Sequence, residues 1–249
     1  MRAKPVVIVT GGTQGLGKAI SLQFGNAGYE VIAIFRSDTG SAKALEAEFA
    51  RLSIRGRTLQ LDLEHGQSCE RLLELAGTLA ADDLVVIHNA CARFQPTMIR
   101  QLDWRAFEQN FAVAVHGAFS CAQAFLPVMA KNRKGTFIAI LSSSTHGLPP
   151  KGFGAYHAAK HALLGFIQSL AVESALKGMR IFSVSPQFMH TPLTQSWDSR
   201  FVAAMTQSSG QSAQPVPVDD PASVAKYVLK LTLDPSIPGR GEDYRTLAT

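Results

Sequence analysis

The stretch VVIVTGGTQGLG, residues 6–17, decides the fold of this chain. Its four β-branched residues predict a buried strand, and apolar residues at helical spacing from Lys18 onward predict a helix. Between them, Gly11 permits a tight turn, Gly15 lets the backbone approach a pyrophosphate, and Gly17 allows the helix to pack closely on the strand. The first turn of such a helix offers free N–H groups and a positive dipole end to phosphates. The stretch therefore predicts a strand–turn–helix unit that binds a dinucleotide.

The alternation of strand and helix continues along the chain. Short β-branched runs predict strands at residues 6–9, 31–35, 57–61, 84–88, 136–141 and 179–184. Apolar residues at helical spacing predict helices at residues 18–27, 41–52, 69–79, 104–130 and 156–176. Such alternation is typical of a parallel sheet covered by helices on both faces. We find no repeat and no linker, so we expect one α/β domain over residues 1–249.

The composition excludes several classes of protein. A chain of 249 residues that is 46% apolar and 17% charged is too hydrophobic to be disordered. Three widely spaced cysteines (Cys69, Cys91 and Cys121) predict reduced thiols in a cytoplasmic protein. We expect no membrane partner, because no run approaches about 18 uncharged apolar residues, and no signal peptide. A net charge of +5 without a dense basic patch predicts no nucleic-acid partner.

Residues 189–220 differ from the rest in being rich in Ser, Gln, Thr and Pro. Long loops inside compact domains are usually functional or disordered. This segment is therefore either a passive surface loop or a lid over a substrate cleft.

The second predicted strand ends in Phe35-Arg36-Ser37, where a site that prefers NAD would carry an acidic residue for the ribose 2′-OH. A guanidinium instead pairs with a 2′-phosphate. The sequence therefore predicts NADP(H) as the cofactor, with Arg36 as the anchor of the 2′-phosphate and Ser37 beside it. The alternative is that Arg36 is a solvated surface residue.

Three side chains with complementary proton chemistry follow the fifth predicted strand. Ser143 lies at the strand end, Tyr156 comes thirteen residues later, and Lys160 lies four residues further on the same helix face. An ammonium near a phenol lowers the pKa of the phenol, so that the tyrosine exchanges protons with a carbonyl or hydroxyl oxygen. A serine hydroxyl beside it holds that oxygen. Ser142 and Ser144 are alternatives to Ser143.

In this order and spacing, the motifs resemble the short-chain dehydrogenase/reductase family over nearly the whole chain. The matching positions are Thr10, Gly11, Gly15 and Gly17 in the cofactor turn, Asp62 and Leu63 beside the adenine, Asn89 and Ala90 in the Asn-Asn-Ala-Gly motif, and Pro186 and Thr191 in the Pro-Gly…Thr segment. The resemblance implies a doubly wound parallel sheet (Rossmann fold) of about seven strands and hydride transfer at a nicotinamide.

The resemblance also implies roles for individual residues. Tyr156 would be the acid/base, Lys160 would lower its pKa and hold the nicotinamide ribose, and Ser143 would orient the carbonyl. Thr191 would bind the carboxamide side of the nicotinamide, and no metal is expected. The cofactor-binding set is Thr10, Gly11, Thr13, Gln14, Gly15, Leu16, Gly17, Arg36, Ser37, Asp62, Leu63, Asn89, Ala90, Tyr156, Lys160, Pro186 and Thr191.

The chain departs from the family pattern at several positions. Ala114 stands where the family has an Asn that anchors a water for proton relay. Asn110 or His116 replaces that amide through water, or the relay is simply weaker. The other departures are His88 for the first Asn of Asn-Asn-Ala-Gly, Cys91 for its Gly, Gln187 for the Gly after Pro186, and a C-terminal segment that predicts a shortened or altered seventh strand.

We therefore predict an NADPH-dependent carbonyl reductase, with a β-ketoacyl thioester or a related biosynthetic ketone as substrate. The alternatives are alcohol oxidation with NADP, and a non-catalytic NADP-binding regulatory or scaffold protein. Arg93, Phe94 and Met98 either shape the substrate pocket or belong to a plain surface loop.

Basic residues and the long helices suggest two kinds of partner. Lys131, Arg133 and Lys134 form a possible docking patch for an acidic carrier-bound or CoA thioester, or are ordinary solvated charges. The family pairs subunits through two long helices, here residues 104–130 and 156–176, so we expect a homodimer or homotetramer.

Overall fold

The computed structural model describes residues 5–64, 66–174, 178–206 and 218–246. Seven strands of these residues form one parallel sheet in the order β3-β2-β1-β4-β5-β6-β7. The strands are β1 Val6–Thr10, β2 Glu30–Phe35, β3 Gly56–Gln60, β4 Leu84–His88, β5 Gly135–Ile140, β6 Met179–Ser185 and β7 Arg240–Arg245. The predicted parallel α/β sheet is confirmed.

Helices cover both faces of the sheet. They are α1 Gly15–Asn26, α2 Thr39–Arg51, α3 Gln67–Thr78, α4 Trp104–Phe111, α5 Gly117–Asn132, α6 Gly154–Ser174, α7 Ser199–Thr206 and α8 Pro221–Leu233. Alternate residues of β1 serve separate cores: Ile8 packs with residues of α3, α5 and α6, whereas Val7 and Val9 pack with residues of α1, α2 and α8. Because successive strand side chains point to opposite faces, an apolar run such as 6–9 is required when both faces are covered.

The central helix differs from the single helix predicted at residues 104–130. A π-helical turn at Ala112–His116 separates α4 from α5. Such a turn inserts one residue into the hydrogen-bond pattern, and it coincides with Ala114, the position of the missing family Asn. Helical spacing in the sequence does not reveal a one-residue insertion of this kind.

This central helix also corrects the expectation that no segment is apolar enough to cross a membrane. The stretch Trp104–Asn132 is long and apolar enough by length and composition alone. Half of its most apolar window is buried inside the protein, because α5 packs against β4, β5 and α3. A helix in the core of a sheet protein passes the same test, so the property is weak evidence for a membrane.

Of the two expectations for the seventh strand, shortened or altered, the structure shows an altered one. β7 has six residues and pairs with β6 along its length, with Ser183 opposite Asp243 and Ser185 opposite Arg245. The pairing is irregular between Ile181 and Ser183, so the strand is altered in register. The sequence pattern of β7 is weak, and the strand is formed by its backbone hydrogen bonds with β6.

The segment predicted as a loop or lid at 189–220 contains the helix α7, which the sequence did not predict. Residues 207–217 of this segment lie outside the described residues. The described part returns to the body of the protein through a bridge between Phe188 and Val218. The choice between loop and lid stays a prediction.

The three basic residues that the sequence suggested as a docking patch lie at the amino end of β5. Lys131, Arg133 and Lys134 precede the start of β5 at Gly135, and Lys134 forms an ion pair with Asp83 over 2.9 Å. The glycine turn and Tyr156 lie at the opposite, carboxyl end of the sheet, about 20 Å away over a six-residue strand. These three basic residues therefore lie away from the candidate site, and a role for them in docking an acidic carrier or thioester stays a prediction.

Candidate active site

The glycine turn after β1 is shaped to receive phosphates. Gly11 and Gly15 have positive φ angles of 62° and 48°, and a Cβ on Gly17 would collide with the carbonyl oxygen of Gly11. Helix α1 begins at Gly15, and the side chain of Gln14 makes no capping hydrogen bond there. The N–H groups of the first turn therefore have no side-chain cap, which leaves them available to the pyrophosphate of a dinucleotide.

Thr10 and Asn89 hold this turn against β4. The Asn89 amide donates to the carbonyl oxygens of Thr10 and Gly11 over 3.1 and 3.2 Å. The backbone N–H groups of Asn89 and Ala90 both donate to the Thr10 hydroxyl over 3.0 Å. Thr10 is fully buried, so it supports the cradle from below.

Three adjoining cavities collect nearly all of the predicted site residues. The inner cavity, of about 210 Å³, is lined by Gly11, Gln14, Gly15, Leu16, Gly17, Asn89, Ala90, Tyr156, Lys160, Pro186 and Thr191. The edge cavity, of about 300 Å³, adds Thr13, Arg36, Ser37, Asp62 and Leu63. The outer cavity, of about 490 Å³, contains Ser143 and shares Tyr156 and Thr191 with the inner one.

Arg36 reaches the edge cavity with its charge already engaged. Its guanidinium forms an ion pair with Glu64 over 2.6 Å, and Gln109 donates to the same Glu64 oxygen over 2.8 Å. Asp38 also lines this cavity and accepts from the N–H of Ser41 at the start of α2. A 2′-phosphate at Arg36 therefore competes with an internal carboxylate, a contact that the sequence did not reveal.

Tyr156 and Lys160 lie side by side on α6, with the lysine ammonium 5.7 Å from the centre of the tyrosine ring. The Lys160 Nζ is buried and donates to the carbonyl oxygen of Ile140 over 2.6 Å. Burial lowers the pKa of Lys160. Burial, followed by the nearby Cys91 thiol, raises the pKa of Tyr156, while a hydrogen bond from Ser142 lowers it.

This result reverses the expected direction of the Tyr156 shift. The sequence predicted that Lys160 lowers the pKa of Tyr156, but burial dominates and raises it. A phenol with a raised pKa stays protonated at neutral pH. Tyr156 is therefore placed to donate a proton, as the reduction of a carbonyl requires.

The serines after β5 divide between two cavities. Ser142 lines both the inner and the outer cavity and its hydroxyl acts on Tyr156, whereas Ser143 and Ser144 line the outer cavity. The Ser143 N–H donates to the Pro186 carbonyl oxygen over 2.8 Å and ties the serine turn to the end of β6. The structure thus brings Ser142 nearest to the inner face of Tyr156, and the assignment of the carbonyl-binding serine to Ser143 stays a prediction.

The proposed substitutes for the missing family Asn are engaged elsewhere. The Asn110 amide donates to the Ala106 carbonyl oxygen of its own helix over 2.9 Å. A ring nitrogen of His116 lies 3.2 Å from the carbonyl oxygen of Leu63. Ala114 is buried in the core. These contacts supply no direct link from either side chain to Lys160, and a link through water stays a prediction.

His88 and Cys91, the replacements in the Asn-Asn-Ala-Gly motif, lie beneath and beside the site. His88 is buried, with its Nδ1 atom 3.1 Å from the Thr10 hydroxyl. Cys91 lines the inner and edge cavities, and burial raises the pKa of its thiol. Because the thiolate is the reactive form of cysteine, this shift makes Cys91 a poor nucleophile. Gln187 lines the inner and outer cavities, and its side-chain amide donates to the carbonyl oxygen of Thr246 over 3.5 Å.

The main feature of the site that the sequence did not predict is an aromatic wall in the outer cavity, formed by Phe94, Phe153 and Trp197. The ring of Phe94 stacks on Tyr156, with ring centres 4.8 Å apart and planes at 16°. Phe153 and Trp197 pack edge-on against Phe94 at 5.3 and 5.2 Å. The Trp197 indole N–H donates to the Phe94 carbonyl oxygen over 2.9 Å and fixes the wall. The prediction that Phe94 shapes a pocket is confirmed, but no contact between segments this distant is visible in the sequence.

Among the described residues, no group of three or more His, Cys, Asp or Glu side chains is placed to hold a metal ion. His157 and His161 pack ring against ring on α6, with centres 4.2 Å apart.

Comparison with known proteins adds to this geometry. Residues 5–200 match the family model described as short chain dehydrogenase. The chain is similar to the uncharacterized oxidoreductase YohF of Escherichia coli K12, with 30% identity over 200 residues that cover 78% of this chain and 76% of the relative. It is also similar to the 3-oxoacyl-(acyl-carrier-protein) reductase FabG of Haemophilus influenzae, with 32% identity over 193 residues and 76% of each chain covered. The crystal structure of acetoin dehydrogenase YohF from Salmonella typhimurium superimposes with a TM-score of 0.79 at 26% identity, over 97% of this chain and 94% of that one.

Proposed function

The chain is an oxidoreductase of the short-chain dehydrogenase family, and from this premise we propose that it transfers a hydride between NADP(H) and a ketone or secondary alcohol. The observation that carries the proposal is the position of Tyr156, which lines both the inner cavity beside the glycine turn and the outer cavity. A group on the glycine turn and a ketone in the outer cavity would meet at this side chain.

The chain's own residues fit a nicotinamide dinucleotide. The glycine cradle and the first turn of α1 would hold the pyrophosphate, Lys160 and Thr191 would hold the nicotinamide end, and Asp62 with Leu63 would border the adenine. When bound in its reduced form, this cofactor supplies a hydride to a carbonyl carbon.

Tyr156 would give its proton to the carbonyl oxygen as the C=O π bond breaks, so that the product is a secondary alcohol. Ser142 or Ser143 would donate a hydrogen bond to the same oxygen and stabilise the developing negative charge. The Lys160 ammonium, held by the Ile140 carbonyl oxygen, would stabilise the tyrosinate that remains.

NADP(H) is the form of the cofactor that we propose, because Arg36 lies in the edge cavity where a 2′-phosphate would lie. The proposed substrate is a biosynthetic ketone, and a β-ketoacyl thioester is the related case, since FabG is named as a 3-oxoacyl reductase. A cavity of about 490 Å³ is large enough for a drug-sized molecule. The non-catalytic alternative gains no support from the geometry, because Tyr156 and Lys160 both line an accessible cavity.

The test is consumption of NADPH and NADH with a panel of ketones that includes acetoin, acetoacetyl-CoA and aryl ketones. We expect NADPH oxidation that falls by about 10²- to 10⁴-fold in Tyr156→Phe, the usual loss for a general acid. Tyr227→Phe is the matched control, because Tyr227 lies on α8 away from the three cavities, and it should retain full turnover.

Two results would contradict the proposal. Full activity in Tyr156→Phe would remove the assignment of the acid, and no turnover of any ketone by the unaltered protein would favour the non-catalytic alternative.

A further inference from the structure

The lining of the outer cavity has two chemically different parts. One part is Tyr156 with the aromatic wall of Phe94, Phe153 and Trp197. The other part, on the side of β7, includes the guanidinium-bearing residue Arg245, at the end of that strand, and His146, which contacts Asp243 of the same strand. A cavity with an apolar ring-lined body and a cationic end fits a molecule with the same division.

The position of Arg245 follows from the sheet. Arg245 lies opposite Ser185 of β6, and the end of β6 is tied to the serine turn after β5. The ends of β5 and β7 are therefore two strand spacings apart, roughly 10 Å. The serines proposed to bind the carbonyl, at the end of β5, therefore lie about this distance from the backbone of Arg245, at the end of β7.

The charge of Arg245 is not neutralised by the acid beside it. Asp243, which is two residues earlier on the same strand, accepts hydrogen bonds from Ser183 and Ser185 over 2.8 and 2.6 Å, and its other contact is with His146 at 2.5 Å. Its side chain is only 8% exposed. Among the described residues, no carboxylate lies within ion-pair distance of the exposed Arg245.

We propose that the substrate is a ketone with an apolar, ring-containing body and a free carboxylate at its far end, and that Arg245 binds this carboxylate. The inference rests on the proposed function and narrows its substrate class from biosynthetic ketones, thioesters included, to carboxylated ones. The aromatic wall holds the body, Tyr156 faces the carbonyl, and the Arg245 guanidinium forms paired hydrogen bonds with the carboxylate.

A matched pair of probes tests the anionic end. The first is 4′-acetylbiphenyl-4-carboxylate, whose two rings separate its ketone and carboxylate by a length comparable to two strand spacings, roughly 10 Å. The second is the neutral 4′-acetylbiphenyl-4-carboxamide, which keeps the ketone and replaces only the carboxylate. The measured quantity is the ratio of kcat/KM for the carboxylate to that for the carboxamide, with NADPH as reductant.

We expect this ratio to be at least about 10 in the unaltered protein, as a charge-assisted hydrogen bond supplies, and to fall to about 1 in Arg245→Met. Arg240→Met is the matched control, since Arg240 is an exposed arginine at the other end of the same strand. It should leave the ratio unchanged.

A binding measurement separates this inference from the proposed function. The chain has two tryptophans, Trp104 and Trp197. In Trp104→Phe the remaining tryptophan, Trp197, lies in the lining of the outer cavity. Quenching of its fluorescence reports the Kd of each probe whether or not turnover occurs. A carboxylate preference that disappears in Arg245→Met, without any turnover, would support the anion site while contradicting the reductase proposal.

The inference is overturned if the two probes bind equally well to the unaltered protein, or if the preference survives in both Arg245→Met and Arg245→Gln. Turnover of both probes with a kcat/KM ratio of about 1 would support the reductase proposal and contradict carboxylate binding by Arg245. Thermal unfolding of each variant identifies any loss that reflects misfolding.

Discussion

At the scale of single residues, Arg36 and Glu64 govern the edge of the cofactor groove. The ion pair between them leaves the arginine side chain 46% exposed and the glutamate 16% exposed. A bound 2′-phosphate offers the guanidinium two charges in place of one, but the Glu64 carboxylate repels that phosphate. With the proposed NADP(H) cofactor, Glu64 would therefore weaken the preference for NADPH that Arg36 would create.

Substitutions at this pair should shift cofactor choice in opposite directions. Arg36→Met should lower the affinity for NADPH relative to NADH by at least about tenfold, and Glu64→Gln should raise it. Equilibrium titration with each cofactor gives the two Kd values. Arg51→Met, at the exposed end of α2, is the control and should change neither. An unchanged ratio in Arg36→Met would show that the arginine is an ordinary surface residue.

His88 is the second residue with a measurable consequence. Burial, and then the charge of Lys160, lower its pKa from 6.5 to about 3. In the unfolded chain the imidazole takes up a proton near its ordinary pKa, whereas the folded protein keeps it neutral. The unfolded state thus binds more protons between these values, so stability is complete above about pH 6.5 and falls as the pH is lowered toward 3.

The expected cost is about 1.4 kcal/mol for each pH unit below about 6.5. His88→Asn should therefore show a smaller fall in unfolding free energy between pH 7 and pH 5 than the unaltered protein, whatever its stability at pH 7. Urea denaturation at a series of pH values measures this slope. His161→Asn, at an exposed position on α6, should keep the original slope. Equal slopes in His88→Asn and the unaltered protein would place the acid sensitivity elsewhere.

At the scale of elements, the turn between β1 and α1 combines backbone conformation with ligand access. Gly15 adopts a left-handed conformation, and a Cβ there would lie 3.2 Å from Thr191 and enter the cradle. Gly165 on α6 has ordinary helical geometry and open space around it. Comparing alanine substitutions at these two glycines therefore distinguishes the effect on the cradle from the general effect of alanine on helix stability.

Gly15→Ala should weaken NADPH binding by at least about tenfold and lower the melting temperature, because the left-handed conformation costs about 1–2 kcal/mol for alanine. Gly165→Ala should leave binding unchanged and add up to about 1 kcal/mol of stability. Cofactor titration and thermal unfolding measure both effects. Unchanged NADPH affinity in Gly15→Ala would mean that the turn does not carry the phosphates.

At the scale of the whole molecule, apolar side chains are exposed on the outer faces of the two long helices. Phe119 of α5 and Val172 of α6 are 43% and 79% exposed, and Phe119 lies 6.3 Å from Phe166 between ring centres. Apolar groups on adjoining helices form a surface that association covers at a gain of about 25 cal/mol per Å². We therefore propose that the protein assembles through α5 and α6 into a homodimer or homotetramer.

Light scattering should give twice or four times the chain mass. The double variant Phe119→Glu, Val172→Glu should reduce this mass, because a charge buried without a partner opposes association. Leu73→Glu, at a comparably exposed apolar position on α3, should not. A stable monomer of the unaltered protein would remove the proposal.

Most of the sheet was predictable, because its strands and helices are encoded by local periodicity. The glycine turn, Arg36 at a strand end, and the pair Tyr156 and Lys160 were also predictable, since each depends on neighbours in the chain. The π-helical turn and the register shift between β6 and β7 were not, because their hydrogen bonds depend on packing and strand pairing. The direction of the Tyr156 pKa shift was wrong, because burial is a property of the folded molecule.

The sequence by itself determined the parallel sheet, the glycine cradle and the family of the reaction, because each is encoded within a few tens of residues. Only the tertiary structure decided what surrounds the reacting group. It brought Phe94 onto Tyr156, engaged Arg36 with Glu64 and set Arg245 at the far end of the outer cavity. The physical reason is that the carboxyl ends of parallel strands converge at one edge of the sheet, so side chains far apart in the sequence meet there.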